Sequence, residues 1–492
     1  MTRLRWNLGV LALTGLLPSL PLQAAPLPSY GNVSVFVPFV NAAALSDPAQ
    51  YVSPQIRIGF NAPNAVGSDF AVTMDTGSVG IIMGSNSFTP PAAGRNDPSF
   101  VGSGGETLTS SGIIIQGDWY RTTVNLFNGP TLVATSTVPV LAVTGVSCTP
   151  NARACHVTDS SGADTRYFGV GFSGGSGQPQ GTPEKNAFLN VTSVPGSASL
   201  PSTGYILTTQ GAQIGLTSAN AQGFALMKLE PLLAPNATQW LSPPANANLL
   251  TDWQHPRGTI TVNGKSGQGA ILFDTGVTTA FLTPPVGVSP NTGTGPAGAE
   301  CNGSSPPGCA VSGTSVRVSF PQAFLPIASL NYTVGAGNGA QTGNPVSPFA
   351  VSIEHNGAPF LNTTVRFLQA FDYMYDAANG FTGLKTSGGT PAQFAASKPG
   401  SMSVGSTFQC FFNWAGPSLG FRPKRHQPTA YRWPFTYRYD PRRQTTIAIS
   451  SGSAATGSVP ATKANEVYLI GPGNQVTDQG PLSGWLTAAG CQ

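Results

Sequence analysis

The chain has 492 residues, a formal net charge of +4 and only 9% charged residues, a composition that excludes an intrinsically disordered polymer. Sixty glycines and 44 prolines punctuate it densely. That density suits many short strands and leaves little room for long helices, so a predominantly β architecture of two or three domains is expected.

The N-terminus carries Arg3 and Arg5, an apolar stretch from Leu8 to Leu17, and then Leu22-Gln23-Ala24-Ala25. This order fits a secretory signal over residues 1–24, which would make the mature protein secreted or periplasmic. No later run approaches the length of a membrane span, so no integral membrane segment is expected. Further on, Phe70-Ala71-Val72-Thr73-Met74 runs into Asp75-Thr76-Gly77-Ser78 and leaves through Val79-Gly80-Ile81-Ile82-Met83. An apolar run that stops at Thr-Gly reads as strand, tight turn, strand, because glycine alone takes positive φ without a steric cost.

Gly171-Phe172-Ser173-Gly174-Gly175 matches the nucleophile elbow of α/β-hydrolases, and Gly169 to Gly174 matches a dinucleotide-binding loop. The elbow requires a strand-to-helix turn in an alternating α/β chain with an acid and a histidine following in order. The dinucleotide loop requires a helix and a later acidic residue at a strand end. Neither context is visible, so a serine hydrolase using Ser173 is kept only as a remote alternative.

Gly258-Thr259-Ile260-Thr261-Val262-Asn263-Gly264 carries the Asn-Gly signal of a two-residue hairpin. Then Ala270-Ile271-Leu272-Phe273 enters Asp274-Thr275-Gly276, which is left through Ala280-Phe281-Leu282, repeating the first motif 199 residues further on. One such tripeptide is weak evidence. Two with matching apolar flanks are strong.

Six cysteines form an even set suited to an oxidising compartment, and proximity pairs Cys148 with Cys155, Cys301 with Cys309 and Cys410 with Cys491. That is one of fifteen possible connectivities. None lies in a pattern that would hold zinc, so no metal is expected. Charge divides unevenly: residues 1–385 hold 14 Lys/Arg against 16 Asp/Glu, and residues 386–492 hold 9 against 3. In the second segment Arg422, Lys424, Arg425, Arg432 and Arg438 are interleaved with Phe421, Tyr431, Trp433, Phe435 and Tyr437. Alternation of this kind describes a half-solvated strand better than a nucleic-acid surface, and no nucleic acid is expected as a partner.

The two Asp-Thr-Gly blocks resemble the pepsin-like aspartic proteases, a bilobal family in which each lobe donates one aspartate. The likeness extends to Tyr51-Val52-Ser53-Pro54-Gln55-Ile56-Arg57-Ile58-Gly59, similar to the strand that opens the first lobe, and to Val365 through Leu384, similar to the segment that closes the core. It covers roughly residues 48–385. The resemblance implies an all-β, bilobal double β-barrel with lobes at 25–222 and 223–385, and a C-terminal β-rich extension at 386–492. It also implies a monomer that needs no cofactor and cleaves a polypeptide substrate at acidic pH, with Asp75 and Asp274 catalytic. Thr76, Gly77, Ser78, Thr275, Gly276 and Thr278 would then support them.

Three positions depart from the family pattern. Val277 stands where a serine or threonine usually meets the second carboxylate, with Thr278 the nearest substitute. The flap that closes over substrate lacks its tyrosine; its counterpart falls at Ser110, beside Ser111 and Gly112, and Tyr120 falls on the return strand. The apolar-apolar-Gly element underlying each aspartate survives as Val170-Gly171 in the first half, whereas its second-half counterpart reads Asn362-Thr363-Thr364. Between Ala25 and Phe70 the one basic residue is Arg57, so no conventional basic propeptide is expected. The rival reading is a pepsin-like pair of lobes kept as a weak or inactive binding or inhibitor module, its aspartates retained to pin turns.

Overall fold

The computed structural model describes residues 30–386 apart from 68, 109–110, 151, 153–154, 156, 158–160, 174–180, 222–223, 233–250, 303–307, 321–327 and 355–356. It also describes four strands between residues 435 and 481. The expected signal peptide, Ser110, Cys410 and Cys491 lie outside the described residues.

Strands dominate. In the first half they are β1 (Val35–Pro38), β2 (Gln55–Phe60), β3 (Phe70–Asp75), β4 (Val79–Met83), β5 (Phe100–Leu108) and β6 (Ile113–Asn128). They continue with β7 (Thr131–Cys148), β8 (Arg166–Val170), β9 (Val191–Ser193), β10 (Gly204–Leu207), β11 (Gly211–Ile214) and β12 (Ala225–Lys228). In the second half come β13 (Arg257–Val262), β14 (Lys265–Leu272), β15 (Thr279–Thr283), β16 (Thr292–Gly293), β17 (Cys309–Ala310) and β18 (Ser315–Phe320). Then follow β19 (Ala328–Thr333), β20 (Ala350–Ile353), β21 (Phe360–Asn362), β22 (Phe371–Asp376) and β23 (Phe381–Thr386). Two short α-helices, Ala42–Ser46 and Ser161–Asp164, are the α-helices among the described residues.

The same five-strand plan occurs twice. In the first half the neighbours run β2-β3-β8-β4-β7, and in the second β13-β14-β21-β15-β20. In each, the strand entering the aspartate and the strand leaving it are held apart by a later strand, parallel to the first and antiparallel to the second. Wedging that strand between them forces the Asp-Thr-Gly turn open, since the two arms cannot pair as a simple hairpin. The Asn263-Gly264 signal is realised: β13 and β14 meet at Val262 and Lys265, with both turn residues at positive φ.

A third, six-stranded sheet of order β1-β11-β10-β22-β23-β12 takes strands from both halves of the chain. Its tyrosines reach the two motifs. Tyr205 on β10 donates its hydroxyl to the carbonyl of Val170 at 2.6 Å, and Tyr373 on β22 packs its ring 5.3 Å from that of Phe273. The core is continuous, with Met74, Ile81, Phe168, Ile271, Phe273, Leu282 and Phe367 all buried. In the extension, Phe435–Asp440, Thr445–Ser453, Thr462–Ile470 and Val476–Pro481 form an antiparallel sheet, the β-rich character expected there.

Two of the three expected disulfides are formed, Cys148–Cys155 and Cys301–Cys309, with Cα atoms 5.7 and 5.1 Å apart. No helix among the described residues is long and apolar enough to cross a membrane.

Candidate active site

β3 ends on Asp75, and β14 delivers Asp274 two residues beyond its last paired position. Within each turn the carboxylate accepts the N–H of the glycine two residues on: Gly77 to Asp75 Oδ1 at 2.6 Å, and Gly276 to Asp274 Oδ1 at 2.7 Å. The glycines are needed for space as well. A Cβ on Gly77 would lie 2.4 Å from Asp274 Oδ2, and one on Gly276 would lie 2.5 Å from Asp75 Oδ1, so each turn makes room for the other's carboxylate.

The threonines lock the turns together. Thr76 N donates to Thr275 Oγ1 at 3.0 Å, and Thr275 N donates to Thr76 Oγ1 at 2.9 Å. Each hydroxyl in turn donates across the interface, Thr76 to Phe273 O at 2.6 Å and Thr275 to Met74 O at 3.1 Å. All of these groups are buried, so stranding any one of them costs about 1–3 kcal/mol. A small face of each acid stays open, with Asp75 9% and Asp274 5% exposed.

The outer oxygens are covered differently. Ser78 Oγ donates to Asp75 Oδ2 at 2.6 Å. At Asp274 the donor to Oδ2 is Asn362 Nδ2, at 2.5 Å, and not the expected substitute Thr278. Asn362 is the last residue of β21, the strand wedged into the second motif, and its own Oδ1 accepts Thr364 N at 2.9 Å. Val277 contributes its carbonyl, which accepts Val365 N just as Ser78 O accepts Gly171 N in the first half. The departure at Asn362-Thr363-Thr364 is therefore a rebuilt support. It carries a cost at Thr364, where a β-branched residue sits at φ 61°. Thr364 Oγ1 recovers part of that by capping Arg366 N at 3.2 Å.

The two carboxyls face each other's turns, Asp274 against Gly77 and Asp75 against Gly276. Burial and the Asp75 charge push the Asp274 carboxyl well above the usual range, against the opposing pull of Asn362 Nδ2 and Gly276 N. The proton belongs to the pair. Among the described residues no cluster of three or more metal-ligating side chains forms.

β5 and β6 form a hairpin whose end is seen at Ser111 and Gly112. Gly112 N donates to Leu108 O at 2.8 Å, and Thr149 N donates to Gly112 O at 2.8 Å. The loop closed by Cys148–Cys155 thus backs the hairpin end, and a Cβ on Gly112 would lie 2.6 Å from Ala152 Cα. Tyr120 lies on β6, the return strand, buried opposite Phe100. On β5, the Glu106 carboxyl feels the charge of Asp75. Sequence reasoning passed over it, although it is the single charged residue between Asp97 and Asp118.

The serine alternative gains no support from its surroundings. Ser173 has φ 66°, and its peptide N–H donates to Asp252 Oδ1 at 2.9 Å. His255 packs its ring 5.7 Å from Phe172, and burial alone pulls its pKa down to about 4, with no carboxylate acting on it. Among the described residues no hydrogen bond joins the Ser173 hydroxyl to an imidazole.

No family model and no curated protein matches the chain. Among solved structures it is similar to an aspartic proteinase from Irpex lacteus, at 14% identity and a TM-score of 0.39, over 73% of this chain and 99% of that one. A likeness this loose carries no chemical inference, which rests instead on the hydrogen bonds above.

Proposed function

We propose that this protein is a secreted or periplasmic aspartic endopeptidase that hydrolyses peptide bonds with water activated between Asp75 and Asp274. The observation that supports the reading is that each carboxyl lies over the glycine of the other turn, the two turns being joined by the crossed threonines; burial and the Asp75 charge then favour the protonated form of Asp274. In the monoprotonated pair one carboxylate takes a proton from water as that water attacks the scissile carbonyl. The other donates its proton to the developing oxyanion, and the leaving nitrogen is protonated through the same exchange. The mutual threonine bonds keep the carboxyls in register without occupying them. Ser78 and Asn362 orient the outer oxygens and leave the inner ones to the water.

The binding-module reading rests on an eroded second half. Asn362 weighs against it, because it supplies the donor that Val277 lacks. Cleavage is expected to favour bulky apolar residues on either side of the scissile bond. The test is the mature protein incubated with unfolded casein or haemoglobin between about pH 3 and 6, alongside Asp75→Asn. Cleavage by the wild type alone supports the reading; equal cleavage by both, or none by either, defeats it.

A further inference from the structure

Glu106 is 2% exposed, and neither of its carboxyl oxygens has a hydrogen-bond partner. It stands on β5 opposite Ile115 and reaches down onto β4 at Gly80. A Cβ built on Gly80 would lie 3.2 Å from Glu106 Oε1, 3.3 Å from the Trp119 ring and 3.5 Å from Lys185 Cβ. The bare face of Gly80 is therefore the seat of the carboxyl. Gly80 lies on β4 two positions after Ser78, the residue whose hydroxyl holds Asp75.

The charged groups around it are placed as follows. From the first turn comes Asp75, whose charge opposes ionisation of Glu106. From the 3-10 turn Pro183–Lys185 comes Lys185, fully buried, whose Nζ donates to Thr182 Oγ1 at 2.8 Å and Glu184 Oε1 at 3.2 Å and lies 5.1 Å over the Trp119 ring. Its charge favours the Glu106 carboxylate, though no hydrogen bond joins them. On β6, Arg121 interacts with Glu184, and Asp118 is taken by Arg95 and Ser103. On β8, the Tyr167 phenol is pushed up by burial and by Asp75. Burial outweighs Lys185, and the Glu106 carboxyl is pushed up to about 8.

We propose that Glu106 is a proton-operated latch on the first half of the site, seating β5 on β4 beside Asp75 while protonated and releasing the strand once its proton is lost to solvent. An anion in this slot would have no donor, a state the fold relieves by opening. Glu106 is thus a positioning residue. The idea rests on and deepens the endopeptidase reading in one respect: the packing of the first half of the site would loosen as pH rises towards about 8.

The sign follows from linkage. A carboxyl with a folded pKa above its unfolded value stabilises the fold fully below about pH 4.5, and that stability is lost as pH rises towards about 8. Between those limits the unfolding constant should rise tenfold per pH unit through this one group.

The experiment is denaturant unfolding of the whole protein from pH 5 to 8, comparing wild type with Glu106→Gln and Glu106→Leu. Both variants should lose one proton's worth of pH dependence, about tenfold per unit, whatever their stability at pH 5. Equal slopes in all three proteins would overturn the latch. If neither variant folds, carboxyl 13C NMR of glutamate-labelled wild type decides: one resonance keeping its proton to about pH 8 supports the proposal, and all titrating near 4.5 refutes it. No step requires cleavage, so the latch can fail while the dyad stands, or stand while the dyad fails.

Discussion

The Asp75 and Asp274 turns use the same strand plan, the same glycine N–H bonds and the same crossed threonines, yet they support their outer carboxylate oxygens from opposite ends of the chain's range. Ser78 serves Asp75 from three residues away, whereas Asn362 serves Asp274 from 88 residues away. What the geometry demands is a donor at a point in space. A neighbour in the turn or the wedged strand can supply it equally well. The second solution ties the carboxylate to the backbone of β21, and with it comes the strained Thr364.

Removing either acid is the largest perturbation. Asp75→Asn or Asp274→Asn should each cut turnover by roughly 10²–10⁴-fold, since each removes one member of an acid–base pair; retention of more than a tenth of the activity in either would break the equivalence of the halves. Next come the threonines. Thr76→Val and Thr275→Val each strand buried donors in the opposite turn, and each should lower unfolding stability by about 2–4 kcal/mol in denaturant titration, beyond the cost of one unpaired group because several bonds are lost together. A marked asymmetry between the two would show that one half carries the lock.

The outer donors sharpen the contrast further. Ser78→Ala removes a donor from one oxygen, so kcat should fall with little change in stability. Asn362→Ala should lower both, because Asn362 also accepts Thr364 N; the stability loss should be about 1–3 kcal/mol. Equal stability of the two variants by thermal denaturation would reduce Asn362 to a local donor like Ser78. The smallest effect belongs to Thr364→Gly. Relief of positive φ opposes the lost cap to Arg366, so the net change should stay within about 1 kcal/mol.

The local parts of this design were legible in the sequence. The paired Asp-Thr-Gly turns, the Asn263-Gly264 hairpin, the all-β class and two of the proximal disulfides follow from short-range rules of turn chemistry and loop closure. The support of Asp274 was not, because Thr278 is the near candidate along the chain and Asn362 is near only in space. Glu106 was missed for a similar reason. A lone acid in a Gly/Ser/Thr stretch looks like a solvated strand residue until pairing with Ile115 turns it towards Gly80 and Trp119. The apolar-apolar-Gly pattern signalled Val170-Gly171 and gave no warning that a threonine would take the left-handed position in its counterpart.

The most direct measurement is a carboxyl 13C NMR titration of aspartate-labelled protein, in wild type and in Asp75→Asn. One carboxyl of the Asp75–Asp274 pair should keep its proton well above the ordinary aspartate range in the wild type. In Asp75→Asn the Asp274 resonance should titrate at lower pH, with its partner's charge gone. If both resonances titrate independently near pH 4, and Asp274 is unmoved by the substitution, the two carboxyls share no proton and the proposed chemistry has no basis.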